Sequence, residues 1–378
     1  MDLNEEAVQL HKKLKGKITT SLRGDVTPDT LKLFYSPGVG AASKYAESSG
    51  DKLKEVSWTN NLVAVISDGS AVLGLGDLGP YGAMPVMEGK SMLFKHFANI
   101  DSVPIVLGVH TVDEIVAVVK AIAPSFGGIN LEDIAAPKCF EIEDRLKAEL
   151  DIPVMHDDQH GTAIVVLAAL INAMKVVGKE LDNCRITISG VGSAGVAVMK
   201  LLKRYAPTVN IVAVDSKGII NSERSNLNDT KQQLINNGTL SPDRSGSLED
   251  AMVGADVFIG LSQAGILKPE MVRIMAKDPI IFGLANPVPE IMPDIARAAG
   301  AAIVATGRSD FPNQINNVLG FPGIFRGALD NGVSKITDDH KISAAKALAS
   351  MVETPTVDEI IPNPFASGVV ETIAKTIV

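Results

Sequence analysis

The feature that most constrains the fold of this chain is a glycine-rich turn between a predicted strand and a predicted helix. An apolar run over 185–189 predicts a buried strand, and the turn after it reads Gly190-Val191-Gly192-Ser193-Ala194-Gly195. Apolar residues at helical spacing then predict a helix over 196–205, and a second predicted strand over 210–215 ends on Asp215. A strand–helix–strand unit of this kind is typical of an α/β domain with a parallel sheet.

The glycines and the acid stand where a dinucleotide-binding turn needs them. Gly190 permits a tight turn, Gly192 lets the backbone approach a pyrophosphate, and Gly195 lets the helix pack closely against the strand. The free N–H groups at the helix N-terminus attract phosphate. We therefore predict binding of NAD or NADP by the turn and the acid, that is by Gly190, Val191, Gly192, Ser193, Ala194, Gly195 and Asp215. The alternative is a plain glycine-rich turn that binds no ligand.

The choice between the two cofactors stays open at this stage. Asp215 can accept hydrogen bonds from the adenosine ribose, and its carboxylate would repel a 2′-phosphate, which favours NAD. Ser216 and Lys217 follow directly and would hold that phosphate if Asp215 turned away.

Composition and charge indicate a globular enzyme. The chain has 378 residues, enough for two domains with cores of their own, and 46% of them are hydrophobic. A net charge of −9 without a basic block argues against nucleic acid as a partner. The two cysteines, Cys139 and Cys184, are far apart and fit neither a disulfide scaffold nor a zinc site. The polar N-terminus has no signal-peptide pattern and the longest apolar run, 163–171, is short for a bilayer, so we expect a cytoplasmic protein without a membrane partner.

Strand and helix patterns alternate in two blocks, which predicts an α/β fold of two domains. Apolar runs predict strands at 62–67, 103–108, 127–133 and 152–158 in the first block, and at 185–189, 210–215, 255–260, 279–287 and 302–307 in the second. We predict an N-terminal α/β domain for substrate and metal over 1–160. A C-terminal Rossmann-type domain with a doubly wound parallel sheet follows over 161–378. Ligands bind at the carboxyl ends of the strands in such sheets.

Two pairs of acids follow two predicted strands of the first block. Glu132 and Asp133 end one strand, and Asp157 and Asp158 end the next. Both pairs are expected at the same edge of the sheet, where neighbouring carboxylates repel each other unless a cation lies among them. Oxygen ligands favour Mg²⁺ or Mn²⁺ over zinc. The alternative is helix N-capping by Asp133 and Asp158, because each precedes a predicted helix.

Several single residues are candidates for catalysis. Lys90 follows Gly89 at the predicted start of a helix, where the helix dipole would lower its pKa as a general base requires, although a solvated surface lysine is the alternative. Tyr35 in a Ser-Pro-Gly loop is a candidate general acid or a packing residue. Asn286, Asn316 and Asn317 end strands or loops and are candidates for binding a carboxylate or the nicotinamide, although loop asparagines commonly satisfy turns.

Seven segments, in order along the chain, closely resemble the malic enzyme family. They are 35–39, 74–79, 89–90, 131–133, 156–162, 190–195 and 284–287. The resemblance extends from about residue 20 to 365 and is closest to the compact prokaryotic-type subunit. It implies oxidative decarboxylation of L-malate to pyruvate and CO₂ with NAD or NADP and a divalent metal, and a homodimer with its site in the cleft between domains.

The resemblance also implies a role for each candidate residue. Lys90 would be the general base on the C2 hydroxyl of malate, with Asp157 positioning it, and Tyr35 the general acid that protonates C3 of the enolate. The metal ligands would be Glu132, Asp133 and Asp158, and contacts to substrate or nicotinamide would come from Asn286 and Asn317.

Two departures from the family pattern and three alternative functions remain. The large-subunit members carry an arginine for a substrate carboxylate near the segment that here reads Asp68-Gly-Ser-Ala71, and Pro364-Phe365 is followed here by Ala-Ser-Gly instead of Asp-Pro-Arg. The nearest alternative is a metal-dependent oxaloacetate decarboxylase on the same scaffold. A non-catalytic dinucleotide-binding protein and a dehydrogenase acting on another substrate are the others.

Overall fold

The first half of the chain is built around a sheet of four parallel strands. The computed structural model describes residues 3–14, 16–72, 74–241 and 244–378. The strands are β1 Leu62–Ser67, β2 Asp101–Val106, β3 Gly128–Leu131 and β4 Val154–His156. Their order in the sheet is β2-β1-β3-β4, so β3 and β4 are neighbours and end at the same edge. All six residues of β1 are buried, as expected for a strand covered on both faces.

In the described part of the chain, eight helices accompany this sheet. They are α1 Leu3–Leu14, α2 Pro28–Phe34, α3 Val39–Ala46, α4 Gly50–Val56, α5 Gly79–Ala98, α6 Val112–Ile122, α7 Lys138–Glu149 and α8 Asp157–Val177. Helix α6 begins with a capping box, in which Thr111 Oγ1 accepts from the backbone N–H of Glu114 while the Glu114 carboxylate accepts from that of Thr111.

The second half forms a sheet of six strands. They are β5 Arg185–Ser189, β6 Asn210–Asp215, β7 Gly218–Ile219, β8 Val257–Gly260, β9 Ile280–Gly283 and β10 Ile303–Thr306. Their order is β10-β9-β8-β5-β6-β7, and all pairs are parallel except β6 with β7. The chain order reverses at β5, and a crevice for a dinucleotide lies at such a switch point. The predicted α/β fold with a doubly wound C-terminal sheet is confirmed.

Among the residues that the structure describes, eight further helices surround the second sheet. They are α9 Ser193–Tyr205, α10 Asp229–Asn236, α11 Leu248–Met252, α12 Pro269–Arg273, α13 Pro293–Ala298, α14 Phe321–Asp330, α15 Asp338–Ser350 and α16 Val369–Ala374. Short 3₁₀ segments lie at Trp58–Asn61, Ala123–Ser125, Leu181–Asn183 and Asn317–Leu319.

The central helix of the molecule is α8, which connects the two halves. Its first turn follows β4 in the first sheet, and its later turns pack against α9 and α15 of the second half. By length and composition α8 is apolar enough to cross a membrane, but 67% of its most apolar 18-residue window is buried inside the fold. The helix begins at Asp157, so the domain boundary predicted at 160/161 falls inside it.

Helices α1 to α4 lie outside the core. We call residues 3–56, which contain these four helices, the N-terminal arm. Within the described part of the arm, none of the helix residues is buried. Several large apolar side chains of the arm are strongly exposed, among them Leu22, Leu33, Phe34 and Tyr35. Large apolar side chains that are exposed together on one segment are characteristic of an interface with another molecule.

We expect the buried amide of Asn172 to stabilise the contact between α8 and the C-terminal segments. Its Nδ2 donates to the backbone oxygen of Ala349 at 2.8 Å and to that of Ile360 at 3.0 Å. Asn172→Ala leaves both oxygens without this donor and should lower the free energy of unfolding by about 2 kcal/mol, measured by urea unfolding. Asn210→Ala, at an exposed position, is the matched control. Equal midpoints for the two variants would contradict this role of Asn172.

Candidate active site

A cleft of about 730 Å³ lies between the carboxyl ends of the two sheets. It brings together predicted residues from both halves of the chain, namely Lys90, Glu132, Asp133, Asp158, Ser193, Ala194, Asn286 and Asn317. Asp157 is fully buried and contacts Lys90 and Asn317 of this cleft. The two acid pairs and the glycine-rich turn, predicted separately, therefore belong to one site.

Lys90 lies in the interior of α5 and points into a pair of carboxylates. Its Nζ is 2.8 Å from Glu132 Oε1 and 2.5 Å from Asp157 Oδ2, and it stands 4.2 Å from the centre of the Phe321 ring. Only 7% of its side chain is exposed. The alternative of a solvated surface lysine is therefore wrong.

The predicted pKa shift of Lys90 is also wrong. Helix α5 begins at Gly79, so Lys90 is remote from the N-terminal turn where a helix dipole would lower its pKa. Burial does lower the pKa of Lys90, but the charges of Asp157 and Glu132 outweigh burial and raise it above the ordinary value. In this arrangement Lys90 is an ammonium that neutralises part of the acid cluster.

Both acid pairs meet at the edge formed by β3 and β4. Asp133 has a left-handed backbone with φ of 52°, and its N–H donates to Asp158 Oδ2 at 2.8 Å. Glu132 Oε2 accepts from Asn130 Nδ2 at 2.8 Å. The N-cap residues of α7 and α8 are Pro137 and His156, so the alternative of helix capping by Asp133 and Asp158 is wrong.

The carboxylates share an environment that disfavours their charges. Burial raises the pKa of Asp158 to about 6, with Lys90 opposing this shift and Asp157 adding to it. Burial likewise raises the pKa of Asp157 to about 7 against the effect of Lys90, and it raises the pKa of Glu132. Raised carboxyl pKa values are expected in a buried cluster that contains more carboxylates than cations.

The donor set is suited to a hard divalent cation, although it is not assembled around one. Among the described residues no group of three or more His, Cys, Asp or Glu side chains is arranged to hold a metal ion. Glu132 is paired with Lys90 instead, and Asp158 accepts from a backbone N–H. The donors that face the cleft are carboxylate oxygens, which Mg²⁺ and Mn²⁺ prefer. The chemistry of the residues therefore fits such a metal.

The glycine-rich turn has the geometry predicted for it. Gly190 has φ of 106°, and a Cβ on Gly195 would lie 2.0 Å from the backbone oxygen of Gly190, so both positions require glycine. A Cβ on Gly192 would meet no described protein atom within 4 Å, so packing does not explain this glycine. Helix α9 begins at Ser193 without a side-chain cap within the described chain, which leaves its first N–H groups for an anion.

Asp215 lies at the end of β6, as predicted, but it already has strong partners. Arg224 donates to both of its oxygens, Nη1 to Oδ1 at 2.9 Å and Nη2 to Oδ2 at 3.1 Å, and Lys231 Nζ donates to Oδ2 at 2.6 Å. Burial would raise the pKa of Asp215, but these hydrogen bonds lower it to about 2. The sequence analysis missed both cations, which follow Asp215 in a polar segment without a catalytic motif.

Tyr35 is the one predicted catalytic residue that lies away from the cleft within this chain. It is the C-cap of α2 in the N-terminal arm, and 68% of it is exposed. The alternative, that Tyr35 packs into the core of its own chain, is therefore wrong.

Two further acids, missed by the sequence analysis, fix the loops of the site. Buried Asp68 accepts from Lys138 and from Ser70 Oγ, which ties down the segment where the large-subunit pattern has an arginine. Buried Glu143 accepts from the backbone N–H of His156 at 3.0 Å and lies 2.6 Å from Lys147 Nζ. The turn that carries Asp157 and Asp158 is thereby held against α7.

Sequence and structure comparisons identify the family. The N-terminal domain model of the malic enzymes matches residues 11–147, and their NAD-binding domain model matches residues 159–377. The chain belongs to the malic enzyme family. The predicted family and the prediction of an NAD(P)-dependent malic enzyme are confirmed.

Individual relatives cover the whole length of the chain. It is 52% identical to the bifunctional malic/malolactic enzyme of Bacillus subtilis (strain 168), over 100% of this chain and 92% of that protein. It is also 52% identical to the NAD-dependent malic enzyme of Geobacillus stearothermophilus, over 96% and 76%. The crystal structure of the NAD-dependent malic enzyme from Thermotoga maritima superposes with a TM-score of 0.94 at 48% identity, over 98% of each chain.

We expect Lys90 to be essential for the stability of the cleft as well as for its chemistry. Lys90→Met leaves Glu132 and Asp157 buried without their cation and should lower the free energy of unfolding by about 3 kcal/mol, measured with EDTA present. Lys95→Met is the matched control, because Lys95 lies on the same helix and pairs with Asp101 at the surface. Its cost should stay below about 1 kcal/mol. Equal losses for both variants would refute the buried ion cluster.

Proposed function

We propose that this malic enzyme oxidatively decarboxylates L-malate to pyruvate and CO₂ in the cleft between its two sheets, with reduction of NAD or NADP. The observation that carries the proposal is the position of Lys90. A buried lysine paired with two carboxylates lines the same cleft as the first residues of α9, at the dinucleotide turn. A base and a nicotinamide at one substrate carbon are what the oxidation of a secondary alcohol requires.

We further propose that Lys90 and Asp157 act together as the general base. Lys90 is charged in this arrangement and must give up a proton before it can accept one from the C2 hydroxyl. Asp157 is the nearest acceptor, with its Oδ2 2.5 Å from Lys90 Nζ, and burial raises its pKa, which makes it a stronger proton acceptor than an exposed aspartate. The side-chain amide of Asn317 donates to the same Asp157 oxygen at 2.6 Å and orients it.

Glu132, Asp133 and Asp158 are proposed to hold Mg²⁺ or Mn²⁺. When bound, such an ion supplies a Lewis acid that stabilises negative charge on the substrate oxygen. The proposal is supported by three acids that line one cleft and by carboxylate pKa values that burial raises, since a cation among them would offset that cost. Glu132 contacts Lys90 through Oε1 and Asn130 through Oε2, and a carboxylate has further lone-pair sites for a cation.

Asn286 and Asn317 are proposed to contact the substrate or the nicotinamide. Both line the cleft, one from the segment after β9 and the other from the 3₁₀ turn before α14. Because the arginine of the large-subunit pattern is absent from 68–71, these amide groups are candidates for binding a substrate carboxylate. The cytoplasmic location stays a prediction.

We propose that the enzyme is a homodimer and that Tyr35 acts as general acid in the cleft of the partner subunit. The side chain of Tyr35 is exposed and does not line the cleft of its own chain. It belongs to an arm whose apolar side chains are exposed in the single chain, which supports burial of this arm against a second copy.

The activity is tested by absorbance at 340 nm with L-malate, Mn²⁺ and either cofactor. Lys90→Ala should lower the rate by a factor of about 10³ or more while leaving the affinity for NAD within about threefold, because Lys90 acts on the substrate and not on the dinucleotide. Lys95→Ala is the control and should keep full activity.

Normal turnover by Lys90→Ala would contradict the role of Lys90. Decarboxylation of oxaloacetate without malate-dependent reduction of either cofactor would favour the oxaloacetate decarboxylase instead.

The dimer proposal is tested by complementation between two inactive chains. Lys90→Ala and Tyr35→Phe homodimers should each have little activity. If Tyr35 acts in the partner's cleft, each mixed dimer contains one complete site, so re-equilibrated equal mixtures should recover about a quarter of wild-type activity by random pairing. Mixed dimers without recovery would show that Tyr35 serves its own chain, and full activity of Tyr35→Phe would remove it from the mechanism. Subunit exchange is verified with differently tagged chains.

A further inference from the structure

The carboxylate that would select NAD has no free acceptor site for a ribose hydroxyl. A carboxylate has about four lone-pair sites. Oδ1 of Asp215 accepts from Arg224 Nη1 at 2.9 Å and from the backbone N–H of Lys217 at 2.8 Å. Oδ2 accepts from Arg224 Nη2 at 3.1 Å and from Lys231 Nζ at 2.6 Å. With two donors on each oxygen, this acid binds a 2′-hydroxyl only by giving up one of these partners.

The same contacts reverse the charge at the end of β6. Asp215 contributes one negative charge, while Arg224 and Lys231 contribute two positive charges, so the group carries a net charge of +1. All three side chains are largely buried, with 11%, 13% and 20% exposed, so solvent screens these charges weakly. The net positive charge of this group would therefore attract the 2′-phosphate of NADP.

The two cations are held by different parts of the chain. Arg224 also donates to the backbone oxygen of Gly218 at 3.1 Å, which fixes it beside the β6–β7 turn. Lys231 lies in the first turn of α10. An ammonium has three N–H groups, and within the described part of the chain Lys231 donates one side-chain hydrogen bond, to Asp215. Lys231 therefore keeps donors for a ligand.

We propose that Arg224 and Lys231 are specificity-determining residues that bind the 2′-phosphate of NADP by donating hydrogen bonds to it. This chain then uses NADP as well as NAD. The inference rests on the dinucleotide-binding part of the proposed function. In Rossmann-type folds the acid at the end of the second strand stands at the adenosine 2′-position, and a nearby arginine accommodates a 2′-phosphate there. Here the acid and the cations occupy that position together.

The test measures binding of adenosine fragments by calorimetry and needs no turnover. Wild-type enzyme should bind 2′,5′-ADP about tenfold or more tightly than 5′-AMP, because charge-assisted hydrogen bonds to the 2′-phosphate are added. Lys231→Ala should remove most of this preference and change the affinity for 5′-AMP by less than about twofold. Asp215→Asn should strengthen binding of 2′,5′-ADP, because the repelling charge is lost.

The matched control is Lys277→Ala, which removes the same charge before β9, three strands away from β6 in the second sheet. Lys277 precedes β9, and its side chain is 91% exposed. The preference of the Lys277→Ala variant for 2′,5′-ADP over 5′-AMP should equal that of wild-type enzyme. Thermal unfolding of each variant identifies any misfolded chain, and Lys231→Gln replaces Lys231→Ala if the latter does not fold.

Equal affinity of wild-type enzyme for both fragments would overturn the proposal, and so would equal weakening of both by Lys231→Ala. A failure of malate oxidation with the 2′,5′-ADP preference intact would count against the proposed reaction and leave this inference standing.

Discussion

The arrangement of the site depends on one buried ion cluster, in which the Lys90 ammonium lies between Glu132 and Asp157. Each of these groups would be costly to bury alone, and together they partly neutralise one another. The cluster joins three elements, since Lys90 comes from α5, Glu132 follows β3 and Asp157 starts α8. The walls of the cleft are therefore connected by charge as well as by apolar packing.

This cluster places a proposed metal ligand and the proposed base at the same point of the cleft. Glu132 neutralises Lys90 here and is also one of the three acids proposed to hold a metal. The charge of Glu132 is one of those that raise the pKa of Lys90. A change in the contacts of this one carboxylate would therefore act on the proposed base as well.

Much of the fold and part of the site followed from the sequence, and the difference has a physical cause. Strands β1 and β6 have the predicted bounds, because the buried residues of each strand form a continuous apolar run. The acid pairs meet because neighbouring parallel strands end at one edge. The pKa of Lys90 was predicted in the wrong direction, since it is set by Asp157, 67 residues away in the chain, and not by its own helix. Local patterns carry no information about such partners.

Helix α8 has a consequence for how this protein can be divided. Its first turn carries Asp157 and Asp158, and the same continuous rod continues into the core of the dinucleotide half. A cut within α8 would separate Asp157 and Asp158 from the buried apolar residues that follow them in the same helix. The two halves are therefore not interchangeable modules, and an exchange of the cofactor half between relatives must carry Asp157 and Asp158 along with it.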